Sequence, residues 1–221
     1  MTALLRLLQL TSPTLPIGAF AYSQGLEAVV HAAVIHDEAS AREYLTGVLH
    51  DGFARVDLPY LGRLHAAFLR HDSRDAERWS AHLLASRESS ERRLEDQQLG
   101  RALARLLADQ GLAEAASWAV YPAITHAALF ALAAARFELE AGALLAGFAF
   151  SWLENQVSAL SRLVPLGQLA AQRVLTAVAS GIPRAVELGA GLADTELGAS
   201  LPGLALACSA HETQYTRLFK S

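Results

Sequence analysis

The sequence predicts an all-α protein, a single-domain bundle of about eight to ten helices with a mobile C-terminal tail. Three observations carry this. Apolar residues recur at steps of three and four along nearly every segment, and no run alternates apolar with polar over the length of a strand. Proline and glycine cluster between those runs, where they act as punctuation. Of the 221 residues, 52% are hydrophobic and 18% charged, enough to bury one large core.

The elements follow in order. Leu4, Leu5, Leu7, Leu8 and Leu10 make a short apolar helix that stops before Ser12. Residues 12–27 then read Ser-Pro-Thr-Leu-Pro-Ile-Gly-Ala-Phe-Ala-Tyr-Ser-Gln-Gly-Leu-Glu. Pro13 and Pro16 fix their own φ and push Ser12 and Leu15 towards extended backbone. Gly18 permits a turn that other residues resist. The stretch is a corner of specified shape that leads into the first turns of a helix. Leu26, Val29, Val30, Ala33 and Val34 form the next apolar stripe. Asp37 is placed to cap the helix that carries Tyr44, Leu45, Val48, Leu49 and Phe53. Asp57, with Pro59 in the first turn behind it, is placed to cap the helix of Leu61, Leu64, His65 and Phe68.

A further helix from Asp75 carries Trp79, Leu83 and Leu84. The run from Arg87 to Arg101 is the most charged in the chain, with signs interleaved at three and four, and reads as the solvated face of an amphipathic helix. That helix continues through Leu103, Leu106 and Leu107 and ends at Gln110-Gly111. After a short piece around Trp118 comes an Ala-rich helix, residues 124–135. Residues 138–163 read as the central buried helix, apolar almost all round before Glu154. Both are candidate dimer material, and core burial explains them equally well. A turn at 163–167 leads to a helix over 168–180, stopped by Gly181 and Pro183. The composition of 189–203 shifts to Gly, Ala, Asp and Pro, a linker. The expected organisation is therefore a domain over 1–203 and a tail over 204–221.

Composition narrows the function. A net charge of −4 argues against a nucleic-acid partner, which needs a basic face. A single cysteine, Cys208, excludes a disulfide framework and any multi-cysteine zinc site, and the chain reads as cytoplasmic. The mean hydropathy of +0.25 is high. Residues 117–135 and 141–153 carry no formal charge, but their alanines and glycines favour a buried helical core over a membrane hairpin.

No complete catalytic constellation is present. The eight histidines form no His-Glu-x-x-His, and no phosphate loop exists. Ser23 lies outside a Gly-x-Ser-x-Gly elbow. Glu88, Glu91, Glu95 and Asp96 sit among arginines and read as a solvated ion-pair lattice. Cys208 and His211, three apart, are weak metal candidates, since two ligands do not make a site. Glu154 ends a long uncharged run, either as the polar end of a buried helix or as a partner contact. The tail places Tyr215, Leu218 and Phe219 at helical spacing among His211, Glu212, Arg217 and Lys220. It reads either as a final docked helix or as a segment ordered by a partner.

Four blocks resemble the urease accessory protein F (UreF) family. They are residues 8–27, 87–100, 152–168 and 211–221, the last reading His-Glu-Thr-Gln-Tyr-Thr-Arg-Leu-Phe-Lys-Ser. The resemblance implies an all-α, homodimeric, cytoplasmic protein with no catalytic activity or cofactor of its own. It implies binding to the D/H accessory protein, joint recruitment of the GTPase accessory protein G, and nickel insertion into apo-urease. By motif match, assembly with the GTPase falls to Tyr22, Ser23, Gln24, Gly25, Glu27 and Arg217, and the corner is expected to position Tyr22 to Glu27 where the far end of the chain, around Arg217, docks beside it and completes one binding surface. The tail residues His211, Glu212, Gln214, Tyr215 and Phe219 join the partner-binding set, as do Glu154 and Arg162. Two alternatives stand beside the scaffold: a GTPase-activating factor with Arg162 or Arg217 as its finger, and a nickel carrier using Cys208 and His211. Lys220 stands where arginine is frequent in the family, keeping the charge but losing the planar fork.

Overall fold

A computed structural model describes residues 2–221. Among the described residues there are twelve α-helices and no strand. The core is built around α8 (His126–Arg136), whose residues from Ala127 to Ala135 are all buried. Its alanines let neighbours approach closely, and α4 (Asp57–Leu69) and α6 (Ser90–Asp109) pack along its two sides. Gly100 of α6 makes the tightest of these approaches, because a Cβ there would lie 2.9 Å from the backbone of Thr125.

The longest helix, α9 (Ala141–Leu163), lies over this centre with one side buried and the other facing out. Residues 138–163 were expected to be the buried middle of the molecule. That place belongs to α8, because α9 exposes Phe150 and is shared with α1 (Ala3–Leu10) only at one crossing. There Leu7 and Thr11 occupy the space a side chain at Gly147 would need. Burial of α8 also removes the Ala-rich helix as dimer material.

Several signals act as read. Asp37 caps α3 (Glu38–Gly47) by accepting from the Ser40 amide at 2.8 Å. Gly111, at φ 95°, closes α6. Others do not. The stripe after Leu26 is cut short, since α2 (Leu26–His31) ends at a turn in which Ala33 takes φ 57°. Asp57 is the first residue of α4, not its cap, and its carboxylate turns inward. Pro183 reads as a stop and Pro202 as part of a linker, but they sit in the first turns of α11 (Ile182–Gly191) and α12 (Pro202–Glu212). That accounts for helices beyond the expected eight to ten. The expected linker is strapped down: Arg63 donates to Asp194 and to the Leu192 carbonyl, and Leu201 packs over Gly52.

The charged run at 87–101 is the largest revision. Ser89 caps α6, and the helix turns Glu95 and Asp96 inward, both buried. The Arg87 guanidinium bonds Asp57 at 2.6 Å and Asp96 at 2.7 Å inside the molecule. Burial works against the charge on Arg87, but the two carboxylates outweigh it and hold the guanidinium firmly protonated. A face that interleaves charge at helical spacing reads as solvated because the sequence does not show that Asp57 is waiting opposite. Among the described residues no helix is long and apolar enough to cross a membrane.

Candidate docking surface at the loop–tail clasp

The corner before α2 is built by its glycines. Gly18 at φ 82° starts a single 3₁₀ turn, Ala19–Ala21, and Gly25 at φ 80° starts α2. A side chain at Gly25 would be strained and would lie 2.9 Å from the Cys208 sulfur, so α12 can cross α2 here only above a glycine. Between the glycines the chain is held from beneath by α9. Trp152 Nε1 donates to the Gln24 side-chain carbonyl at 3.0 Å, and Asn155 donates to the Tyr22 carbonyl at 3.1 Å. Phe53, at the end of a π-helical stretch, Val48–Phe53, stacks on Trp152 and supports it.

The tail returns to this corner. After α12 ends at Glu212, residues 213–221 run without helix. The helical spacing of Tyr215, Leu218 and Phe219 is therefore not used as such: Phe219 is buried, Leu218 is half-exposed, and Tyr215 projects fully into solvent. Expected to be mobile, the tail is instead docked by backbone bonds. The Ser221 carbonyl accepts from the Ser23 amide at 2.7 Å, the Gln24 amide at 3.0 Å and the Ser23 hydroxyl at 2.6 Å. The Lys220 amide donates to the Ala21 carbonyl at 2.8 Å. The Arg162 guanidinium lies over the Phe219 ring, 4.7 Å from its centroid.

One carboxylate closes the centre. Glu27, in the first turn of α2, accepts from the Leu218 and Phe219 amides at 2.7 and 3.0 Å. Its Oε2 also lies 3.2 Å from His211 Nε2, while His211 Nδ1 is 2.7 Å from Glu91. A neutral imidazole has one N–H, and this fully buried ring faces a carboxylate with each nitrogen. Glu91 also accepts from Arg217. One turn further along α6, Glu95 accepts from Gln24 at 2.7 Å and from the Ser221 hydroxyl at 2.9 Å. Burial, and then Glu95, push the Tyr22 phenol above its usual value, and its hydroxyl donates to Gln98. Glu212 accepts from the Ser90 hydroxyl and the Ser90 and Glu91 amides; these bonds hold its carboxyl below the usual range and fasten α12 to the start of α6.

Of the residues singled out by sequence, Tyr22, Ser23, Gln24, Gly25, Glu27, Arg162, His211, Glu212, Arg217 and Phe219 thus share one locus. Glu154 does not join them. It faces the cleft on the other side of the 12–20 loop, and burial raises its carboxyl. Gln214 donates only to the nearby Thr216 carbonyl. The residues missed are Glu91, Glu95, Gln98, Trp152, Asn155 and Ser221. The one signal for the carboxylates was their spacing of four on α6, which matches ordinary surface pairing.

Cys208 and His211 do not fit a shared metal site. The thiol is packed against Gly25 and pushed up to about 11 by burial, while both ring nitrogens of His211 are engaged. Among the described residues no group of three or more His, Cys, Asp or Glu side chains is set to hold a metal ion. The locus presents shape and charge, not a nucleophile beside a base.

Comparison with known proteins gives a family match. The model of the UreF family matches residues 35–179. Proteins named urease accessory protein UreF align over nearly the whole chain. That of Alkalilimnicola ehrlichii is 48% identical over 216 residues, covering 98% of this chain and 95% of its own. Those of Pseudomonas putida and Hahella chejuensis are 45% and 42% identical over 219 residues, each covering 99% of this chain and 98% of its own. These alignments take in the corner and the tail, which lie outside the span of the family model.

Proposed function

The chain belongs to the UreF family of urease accessory proteins, and from that premise we propose that it is a non-enzymatic scaffold in nickel insertion into apo-urease. It works as a cytoplasmic homodimer, binds the D/H accessory protein, and with it recruits the GTPase accessory protein G. The observation that carries this reading is the loop–tail clasp. Segments from opposite ends of the chain are fastened into one surface by seven direct polar contacts, a density of order that serves presentation.

Within that surface the residues divide by exposure. Tyr22, Ser23, Gly25, Glu27, His211 and Phe219 are buried and set the shape. Arg217, Leu218, Tyr215 and Arg162 are exposed around them and make the contacts. Aromatic and arginine side chains on a rigid base have the composition of a binding hot spot.

The test is co-purification with the D/H protein and the GTPase. Arg217→Ala and Tyr22→Ala are expected to abolish capture of the GTPase while far-UV circular dichroism stays unchanged. Full capture by both variants would refute the assignment. The activator reading is separated by turnover: a scaffold leaves the GTPase's rate flat, whereas an activator raises it through one arginine. Of the two candidate fingers, Arg217 is bonded to Glu91, whereas among the described residues Arg162 has no carboxylate partner.

A further inference from the structure

Beside the clasp a groove of about 370 Å³ runs between the Gly18 corner and α6. Ile17, Phe20 and Tyr22 of the corner and Lys220 of the docked tail line it together with Arg101 and Arg105 of α6. Phe20 is 66% exposed, carried outward on the 3₁₀ turn that Gly18 begins. Arg101 and Arg105 stand four residues apart on α6, so their heads share one face. Lys220 is placed by the docked tail, its ammonium 5.9 Å from the centroid of the Tyr22 ring.

Three arginines nearby are neutralised. Arg87, Arg92 and Arg217 are each bonded to a carboxylate. Among the described residues, none of Arg101, Arg105 and Lys220 has a carboxylate within 4.0 Å, although the chain as a whole carries a charge of −4. Acidic groups are in excess, yet none is spent here. Three unneutralised cations around an exposed aromatic ring form a local field opposite in sign to the molecule's net charge, of the kind that steers and holds an anionic partner. The apolar wall selects further. A free phosphate has no use for Phe20 and Ile17, whereas a peptide bearing an apolar side chain beside its carboxylates uses both walls. Two guanidinium forks one helical turn apart also match carboxylates at the same spacing.

We propose that this groove docks an acidic segment of the recruited GTPase. An apolar side chain of that segment lies on Phe20 and Ile17, and its carboxylates lie on Arg101 and Arg105. This rests on the reading that the corner recruits the GTPase and adds the chemistry by which it does so.

The experiment titrates the purified GTPase against the full chain in complex with the D/H protein, over a range of sodium chloride concentrations. The double variant Arg101→Glu, Arg105→Glu is expected to bind the GTPase about tenfold or more weaker at low salt, with a flattened salt dependence and unchanged binding of the D/H protein. Phe20→Ala weakens binding but leaves the salt dependence as it was. Arg101→Lys with Arg105→Lys keeps the salt dependence. Parent-like GTPase binding by the charge-reversed variant overturns the proposal. So does loss of self-association in place of GTPase binding, which would make a second copy the occupant. Displacement of the GTPase by inorganic phosphate, with a glutamate-rich peptide inert, also overturns it. If the parent captures no GTPase at all, the scaffold reading itself falls, a result distinguished by the parent arm alone.

Discussion

Two polar knots lie about one helix apart in this molecule and are built from the same parts. In the inner one, Arg87 is held between Asp57 and Asp96. In the outer one, the His211 ring is held between Glu27 and Glu91, with Arg217 bonded behind. Each places a nitrogen-bearing side chain between two carboxylates, and each has most of its atoms out of water. They differ in what brings the partners together. The inner knot joins α4 and α6, which pack on α8 whether or not the ions meet. The outer one joins α2 and α6 to a tail that has no helix after Glu212 and inserts only Phe219 as a large apolar side chain. Apolar burial holds the first, and hydrogen bonds hold much of the second. Removing a charge should therefore damage the whole fold in one case and free a single segment in the other.

Arg87→Ala tests the first half of that contrast and should have the largest effect. It leaves two buried carboxylates without their cation and is expected to cost about 3–5 kcal/mol, read as a lower urea midpoint for the whole chain. Glu27→Gln tests the second half. It removes the charge that accepts two tail amides and faces His211, at a cost of about 1–3 kcal/mol confined to the tail. Limited proteolysis should then cut within residues 213–221 while helical content holds. A global loss of stability equal to that of Arg87→Ala would erase the distinction. Gly25→Ala sits between the two regions, because a Cβ there meets α12 at positive φ; about 1–2 kcal/mol is expected, seen in thermal melts.

Acid should sharpen the comparison from the inner side. His126 begins α8 with its amide bonded to Asp96, and burial lowers its pKa from 6.5 to about 4. The unfolded chain takes up this proton first, so stability falls as pH drops through 6.5 towards 4. His126→Gln should flatten the melting temperature over that window. The smallest effect belongs to Tyr215→Ala. A side chain wholly in solvent should change stability by under about 0.5 kcal/mol, so any loss of partner capture in that variant is a loss of contact alone.

The same contrast explains what the sequence disclosed. Periodicity and caps gave the all-α class and most helix bounds, because Asp37 and Gly111 act through neighbours within four residues. Proline misled at Pro183, since the residue that stops one helix also opens the next, and Pro202 opens α12 from within the stretch that reads as a linker. Both knots were hidden for another reason. Glu91, Glu95, Asp96 and Arg87 have the spacing of a solvated helix face, and only long-range partners such as Asp57, Glu27 and Ser221 turn them inward. Local rules cannot see such partners. The corner and tail stood out as motifs expected to dock into one surface, but the bonds that join them, across nearly 200 positions between Ser23 and Ser221, are a property of the fold.

The central claim is that corner and tail act as one surface, and hydrogen exchange on the free chain and on its assembly with the D/H protein and the GTPase tests it most directly. Protection should rise together in residues 18–27 and 211–221, with α3 and α10 (Gln168–Ala179) unchanged. Protection gained elsewhere, with both segments exchanging as in the free chain, would contradict it.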